Sequence, residues 1–320
     1  VGVSYLVLGP EASLGDRRPE IERRLQAGEY FWLDLHQPSA EDVDLLGELF
    51  GFHALALEDA RHFGQRAKVD DYDHFAFIVV YGATPDEDRL VEVHCFYSER
   101  CLVTVHHDDC PPFAQLREEH ARHANGPAEP IVLLYRVMDR LTDSFFPVMQ
   151  EFDDELDAIE ADLAREPSHR QQQAIFALKR RLITIRKAVG PQRDMLGRLA
   201  GGAVVLPGMT LEAERYFRDV YDHLIRIGDL LESYRDLLSG ASDVYLSTVS
   251  NRLNAVMKQL AVIATIFLPL TFVVGLFGQN FDWMVDHVDS LWAFLIFGVG
   301  AQIVVLLALV VYFRRRGWLS

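Results

Sequence analysis

The run GLFGQNFDWMVDHVDS, residues 275–290, holds three acids, Asp282, Asp286 and Asp289, one histidine, and the triplet Gly278-Gln279-Asn280, without a Lys or Arg. Mg2+ gives up its water shell reluctantly, so neutral oxygens that hydrogen-bond those waters can select it at a pore mouth. The Asn280 carboxamide and nearby backbone carbonyls are such oxygens, and Gly278 lets the backbone come close. An Asn just after a Gly is equally a helix C-cap, so the triplet alone leaves both readings open. The three acids would concentrate cations in front of it.

A second set lies upstream. Asn254, Met257, Ala261, Ala264, Leu268, Thr271 and Gly275 are spaced by alternating threes and fours, which traces one helix face ending at the triplet. Small and hydroxyl side chains on such a face can pack helices closely in lipid or line a pore. One helix hairpin cannot enclose a pore, so the second reading requires an oligomer.

The elements that must position these residues are two apolar runs, Leu260–Phe277 and Leu291–Phe313. As helices they reach roughly 27 and 34 Å, enough for a hydrocarbon core of about 30 Å. Arg252 and Lys258 precede the first run, Arg314, Arg315 and Arg316 follow the second, and residues 278–290 between them carry no Lys or Arg. The positive-inside rule then predicts a multi-pass plasma or inner membrane protein with both termini cytoplasmic and the acidic loop outside. Upstream of the first run no proline occurs from 208 to 268, so one helix can pass from the cytosol into the membrane. Its apolar positions Phe217, Val220, Leu224, Ile227, Leu231, Tyr234 and Leu238, then Val249, Leu253 and Val256, have the period of a bundle or coiled coil.

The remainder reads as strands at Tyr30–Leu35, Phe75–Tyr81, Leu90–Tyr97 and Cys101–Val105 with short helices between, becoming mainly helical from Pro130. Turns are expected at Pro167 and over 201–207. The expected organisation is a cytosolic α/β domain over 1–130, a helical region with a long stalk helix over 131–259, a pore-lining span at 260–277, an external loop at 278–290, a second span at 291–313 and a basic tail at 314–320. The net charge of −16 resides before Leu260, since the later residues carry three acids and three arginines. That surface repels nucleic acid and suits cations. Cys95, Cys101 and Cys110 lack CxxC spacing, so no disulfide framework is expected, and the first twenty residues hold too short an apolar stretch for a signal peptide. His106-His107-Asp108-Asp109-Cys110 has metal-capable side chains, but it follows a strand and precedes Pro111-Pro112, where a solvated turn is the default. The acidic run 151–163 has helical apolar spacing at Phe152, Leu156, Ile159 and Leu163 and can pair with the bases at 179–181 and 186–187. No P-loop, GxSxG, HExxH or dinucleotide fingerprint occurs, so nothing points to an enzyme.

The stretches FRDVYDH (217–223), SGASDVYLSTVSNRLNAVMKQL (239–260), ATIFLPLTFVVGLFGQNF (264–281) and YFRRRGWL (312–319) resemble the CorA family of divalent-cation channels, as do FWLDLHQPS (31–39), LALEDARH (55–62) and FALKRRL (176–182). The resemblance implies an α+β cytosolic domain of α/β/α sandwich type, a long stalk helix continuing into a two-helix transmembrane hairpin, and a homopentamer around an axial pore. It places pore-lining positions on Asn254, Met257, Leu268, Thr271 and Gly275, and the selectivity filter on Gly278, Gln279 and Asn280. It places inter-subunit regulatory carboxylates on Glu58, Asp59, Asp139 and Asp219, and a further acidic gating position on Asp243. The implied cargo and regulator is Mg2+, with Co2+ or Ni2+ as further cargo. Two positions depart from the family pattern: Gln279 stands where Met is usual, and WMVDH replaces a Met-Pro-Glu-Leu pattern. The related ZntB branch also varies the middle residue of the triplet and handles zinc, so a ZntB-like, proton-coupled Zn2+ transporter is the alternative.

Overall fold

The computed structural model describes residues 4–10, 12–84, 89–122, 129–163, 168–279, 282–287 and 290–318. Asn280 and Asp289, with Pro167, lie outside the described residues. The chain opens with β1 (Ser4–Leu8), α1 (Leu14–Ala27), β2 (Phe31–His36), α2 (Ala40–Phe50) and α3 (Ala54–Arg61). Then come β3 (Lys68–Tyr72), β4 (Phe75–Thr84), β5 (Arg89–Tyr97), β6 (Cys101–His106) and α4 (Pro111–Arg122). Helices follow: α5 (Pro130–Asp143), α6 (Phe145–Leu163), α7 (His169–Ala200) and α8 (Leu211–Phe277). The last are α9 (Asp282–His287) and α10 (Leu291–Arg315), which takes a π-helical pitch over Phe294–Gly300.

The six strands form one sheet in the order β1-β2-β6-β5-β4-β3, parallel among the first three and antiparallel among the rest. Every described residue of β4 is buried, so both faces of the sheet are covered. Side chains alternate across a strand, and β4 shows what covers each face. Phe75 meets Phe52 from the α2–α3 junction, at 4.8 Å between ring centroids. Gly82, of opposite parity, lies against Leu141 of α5, and a β-carbon there would stand 2.9 Å from Leu141 Cδ2. The result is an α/β/α sandwich. Two strands, β1 and β3, lie outside the four expected from sequence. Ser39 and Asp42 form a reciprocal capping box that starts α2, and Asp42 also accepts the Leu14 N–H at the start of α1, at 2.8 Å.

Beyond Val79, β3 no longer pairs with β4, and the exposed ladder groups are satisfied by helices. Gln192 of α7, 1% exposed, accepts the Tyr81 N–H at 2.7 Å and donates to the Tyr81 carbonyl at 3.2 Å. Ser144, between α5 and α6, accepts the Ala83 N–H at 2.8 Å. These bonds tie the helices into the sheet domain, so the chain divides by compactness only once, after Ser242.

In α6, Phe152, Leu156, Ile159 and Leu163 are buried as their spacing predicts, while Arg181 of α7 bonds Glu151 and Glu155 at 2.9 Å each. Arg186 pairs instead with Glu232 of α8. The seven apolar positions of α8 from Phe217 to Leu238 are all buried. Leu253 and Val256 continue the period but stay 60% and 47% exposed, because nothing in a single chain covers them. The helix runs unbroken through Ser239–Ser242 and ends at Phe277, where the sequence places the end of the first span. Only 6% of the most apolar window is buried in α8, and likewise in α10, so neither is the core helix of a soluble fold.

Candidate metal and pore sites

The second compact unit, from Asp243 onward, carries the residues expected to face a pore. Asn254, Met257, Ala261, Ala264, Leu268, Thr271 and Gly275 are all exposed in the single chain. The face carrying Lys258, Val262, Ile266, Pro269 and Val273 is partly or fully covered. The Thr271 hydroxyl donates to the Phe267 and Leu268 carbonyls, at 2.9 and 3.0 Å, so its oxygen remains an acceptor for hydration water. Gly278 closes the helix, its N–H bonding the Val274 carbonyl at 2.9 Å, and a β-carbon there would sit 3.1 Å from that oxygen. The triplet therefore starts as a helix end, the cap geometry left open by its composition, and Gln279 follows exposed. Asp282 opens α9, where a negative charge faces the positive end of the helix, and Asp286 lies one turn on; both are exposed.

In the sheet-containing unit the candidate acids fall into two groups. Asp139 and Asp143 are one turn apart on α5, and Asp219 and His223 are one turn apart on α8. His223 Nδ1 is 3.1 Å from Asp143 Oδ1 and 3.9 Å from Asp139 Oδ1. One donor atom from each of Asp139, Asp143 and His223 falls within 4.8 Å of the others, close enough to share an ion. Burial, then the neighbouring Asp143 charge, pushes the Asp139 carboxyl up to about 6, with Asp219 adding to the rise and His223 and Arg140 opposing it. A divalent cation would relieve that repulsion. Two carboxylates with one imidazole suit Co2+, Ni2+ or Zn2+, and carboxylates with water suit Mg2+. Asp143 and His223 are absent from the sequence-derived set. The signal that could have found them is the matched pair of acids or acid and histidine at i and i+4 on two helices.

Glu58 and Asp59 are elsewhere, at the end of α3, beside a depression lined also by Lys68, Asp70 and Asp71. Lys68 Nζ bridges Asp59 Oδ2 and Asp70 Oδ2 at 2.6 and 2.7 Å, so an ion at Asp59 competes with a resident ammonium. The loop after α3 is anchored by Glu92, which accepts the Gly64 and Gln65 N–H groups and bonds the buried His94 at 2.8 Å. Burial disfavours the Glu92 charge, but these donors prevail and hold its carboxyl below the usual range. Among the described residues no hydrogen bond or ion pair joins Glu58 and Asp59 to Asp139 and Asp219 within one chain. Asp243 is exposed on α8.

In the His106–Cys110 run, His106 ends β6 and the next four residues form the turn into α4. His106 is buried, 3.2 Å from Asp34, which also accepts the Thr104 hydroxyl at 2.6 Å and Arg117 at 2.7 Å. Cys95, Cys101 and Cys110 are free and buried, and burial pushes their thiols up, away from the thiolate a metal needs.

Comparison with known proteins joins these observations. The family described as CorA-like Mg2+ transporter protein matches residues 27–315. The cobalt/magnesium transport protein CorA of Thermotoga maritima is 36% identical over 296 residues, covering 90% of this chain and 83% of that one. The zinc transport protein ZntB of Yersinia pseudotuberculosis is 26% identical over 233 residues, covering 72% of this chain and 69% of that one. The CorA magnesium transporter structure from Methanocaldococcus jannaschii superposes with a TM-score of 0.81 over 90% of this chain and 91% of that one, at 23% identity, which shows a common fold. With a sandwich domain, a 67-residue helix ending at Phe277 and a second apolar helix, the chain belongs to the CorA-like Mg2+ transporter family.

Proposed function

We propose that the protein is a homopentameric channel, not an enzyme, that passes Mg2+, and also Co2+ or Ni2+, across the plasma or inner membrane, with both termini in the cytosol. The observation that carries this is the exposed stripe from Asn254 to Gly275, leading to Gly278. Five copies around an axis would turn that stripe inward, with Asn280 at the mouth binding the hydrated ion and Asp282, Asp286 and Asp289 gathering cations outside. The apolar rings at Met257 and Leu268 would gate by dewetting. Glu58, Asp59, Asp139 and Asp219 form the regulatory set, with Asp143 and His223 added to the Asp139 half and Asp243 near the membrane. Bound Mg2+ would offset their repulsion and hold the closed arrangement, and its loss would free the stalk helices to move.

Flux into liposomes reported by Mg2+, Co2+ and Zn2+ indicator dyes tests the reading. Uptake of Mg2+ that collapses in Asn280→Ala is expected. Uptake indifferent to that substitution would remove the filter role, and no divalent flux would remove the channel reading. The second reading, proton-coupled Zn2+ transport, is favoured by Gln279 and by the imidazole in the Asp139-Asp143-His223 donor set. Its mark would be Zn2+ uptake accelerated by a pH gradient.

A further inference from the structure

Arg314, Arg315 and Arg316 at the end of α10 lead into an ordered turn. Gly317 takes a left-handed φ of 64°. Its N–H bonds the Arg314 carbonyl at 3.0 Å, and the Trp318 N–H bonds the Phe313 carbonyl at 2.9 Å. This pair of bonds is a Schellman close, and its usual apolar contact is present in the Trp318 indole stacked 5.8 Å from the Phe313 ring. Lys258 of α8 reaches the same turn: its Nζ donates to the Gly317 carbonyl at 3.1 Å and lies 5.3 Å from the indole centroid.

Four cationic side chains thus share one end of the hairpin, and the three arginines are exposed. The membrane unit supplies no counter-charge nearby, since residues 244–281 and 290–320 contain no Asp or Glu. One last-turn base is enough to offset the helix dipole, and a topology signal needs only charge. Neither calls for a lysine from the other helix docked on a capped turn. The Lys258 ammonium keeps donors beyond the one used on Gly317. Trp318 is 42% exposed beside it, the amphipathic ring expected at headgroup depth.

We propose that this turn binds the phosphate of an anionic phospholipid in the cytosolic leaflet, with Lys258 and the arginines as donors and Trp318 as the interfacial anchor. The proposal rests on insertion of the two spans and not on ion passage. Full-length protein in phosphatidylcholine vesicles, probed with spin-labelled phosphatidylglycerol or phosphatidylcholine, gives the motionally restricted fraction of each lipid. A several-fold enrichment of phosphatidylglycerol is expected, reduced by up to about fivefold in Lys258→Gln and further in Lys258→Gln/Arg316→Gln. Equal restriction of both lipids by the wild type would overturn the proposal, as would enrichment unchanged in the double variant. Displacement of phosphatidylglycerol by inorganic phosphate would mark a free-anion site and overturn it as well. Absence of restricted lipid of either kind would instead remove the membrane reading beneath it.

Discussion

Replacing Asp139 with Asn should make the metal-free protein more stable. The Asp139 carboxyl, 17% exposed, is pushed up to about 6 by burial and by Asp143. Moving a carboxylate from its ordinary value near 4 to about 6 costs the charged form about 3 kcal/mol in the folded state, and partial exposure lowers this to about 2 kcal/mol. The sign follows from linkage. Because the folded value is the higher one, stability is fullest below pH about 4 and falls as pH rises through about 6. Asp139→Asn removes the charge and with it this loss. At pH 7.5 in chelator, a gain of about 2 kcal/mol corresponds to about 4–8 °C in Tm for a unit of this size. Adding Mg2+ or Co2+ should raise the wild-type Tm, since an ion bound only by the folded state at a hundred times its Kd adds about 2.7 kcal/mol. The variant, short of one proposed ligand, should respond less. Thermal unfolding in detergent between pH 4 and 7.5 reads both effects, and the difference between wild type and variant isolates the single carboxyl. A variant that melts at or below wild type in chelator, or that gains as much from the ion, would refute the reasoning.

Further outcomes follow from the packing and the pore. Gln192→Met should cost about 2–4 kcal/mol in denaturant melts, because it strands the buried N–H and carbonyl of Tyr81. Gly82→Ala should cost about 1–3 kcal/mol, since the new methyl meets Leu141 and the Ser144 hydroxyl at about 3 Å; a neutral result would mean that the α5–α6 corner yields freely. Lys68→Met should raise divalent affinity at Asp59 for ions measured by titration calorimetry, because the competing ammonium is gone. Leu268→Asn should raise resting Mg2+ leak into liposomes if that ring closes the pore by excluding water.

Much of this molecule was legible in the amino-acid order, for a physical reason that varies by region. Helix α8 was legible throughout because nothing between 208 and 268 breaks it and its period is unbroken from Phe217 to Leu238. Its end was legible because Gly278 follows a run with no charged residue. Strands β2, β4, β5 and β6 announce themselves by β-branched and aromatic density. KVDDY of β3 does not, because an edge strand needs only its ladder bonds and Val69. SYLVL of β1 is too short to separate from a loop. The pairing of Asp34 with His106 and Arg117 depends on parallel register between β2 and β6, in which His36 lies opposite His106, and no local pattern encodes that. The Asp139 group is half local: the i and i+4 spacing is visible on each helix, but the approach of α5 to α8 is not. The Lys68 bridge was hidden for the same reason.

Strand β3 has one more consequence. Among the described residues it is the last strand of the sheet, with a strand neighbour on one side only. It is five residues long, and Lys68, Asp70 and Asp71 give it charge of both signs. Such an edge resists templating by a stray strand. In the pentamer proposed above, which would bring identical sheets to high local concentration, such an edge would favour ordered assembly over strand templating. Asp70 and Asp71, which line the same depression as Glu58 and Asp59, would thus also keep the proposed self-association from turning into aggregation.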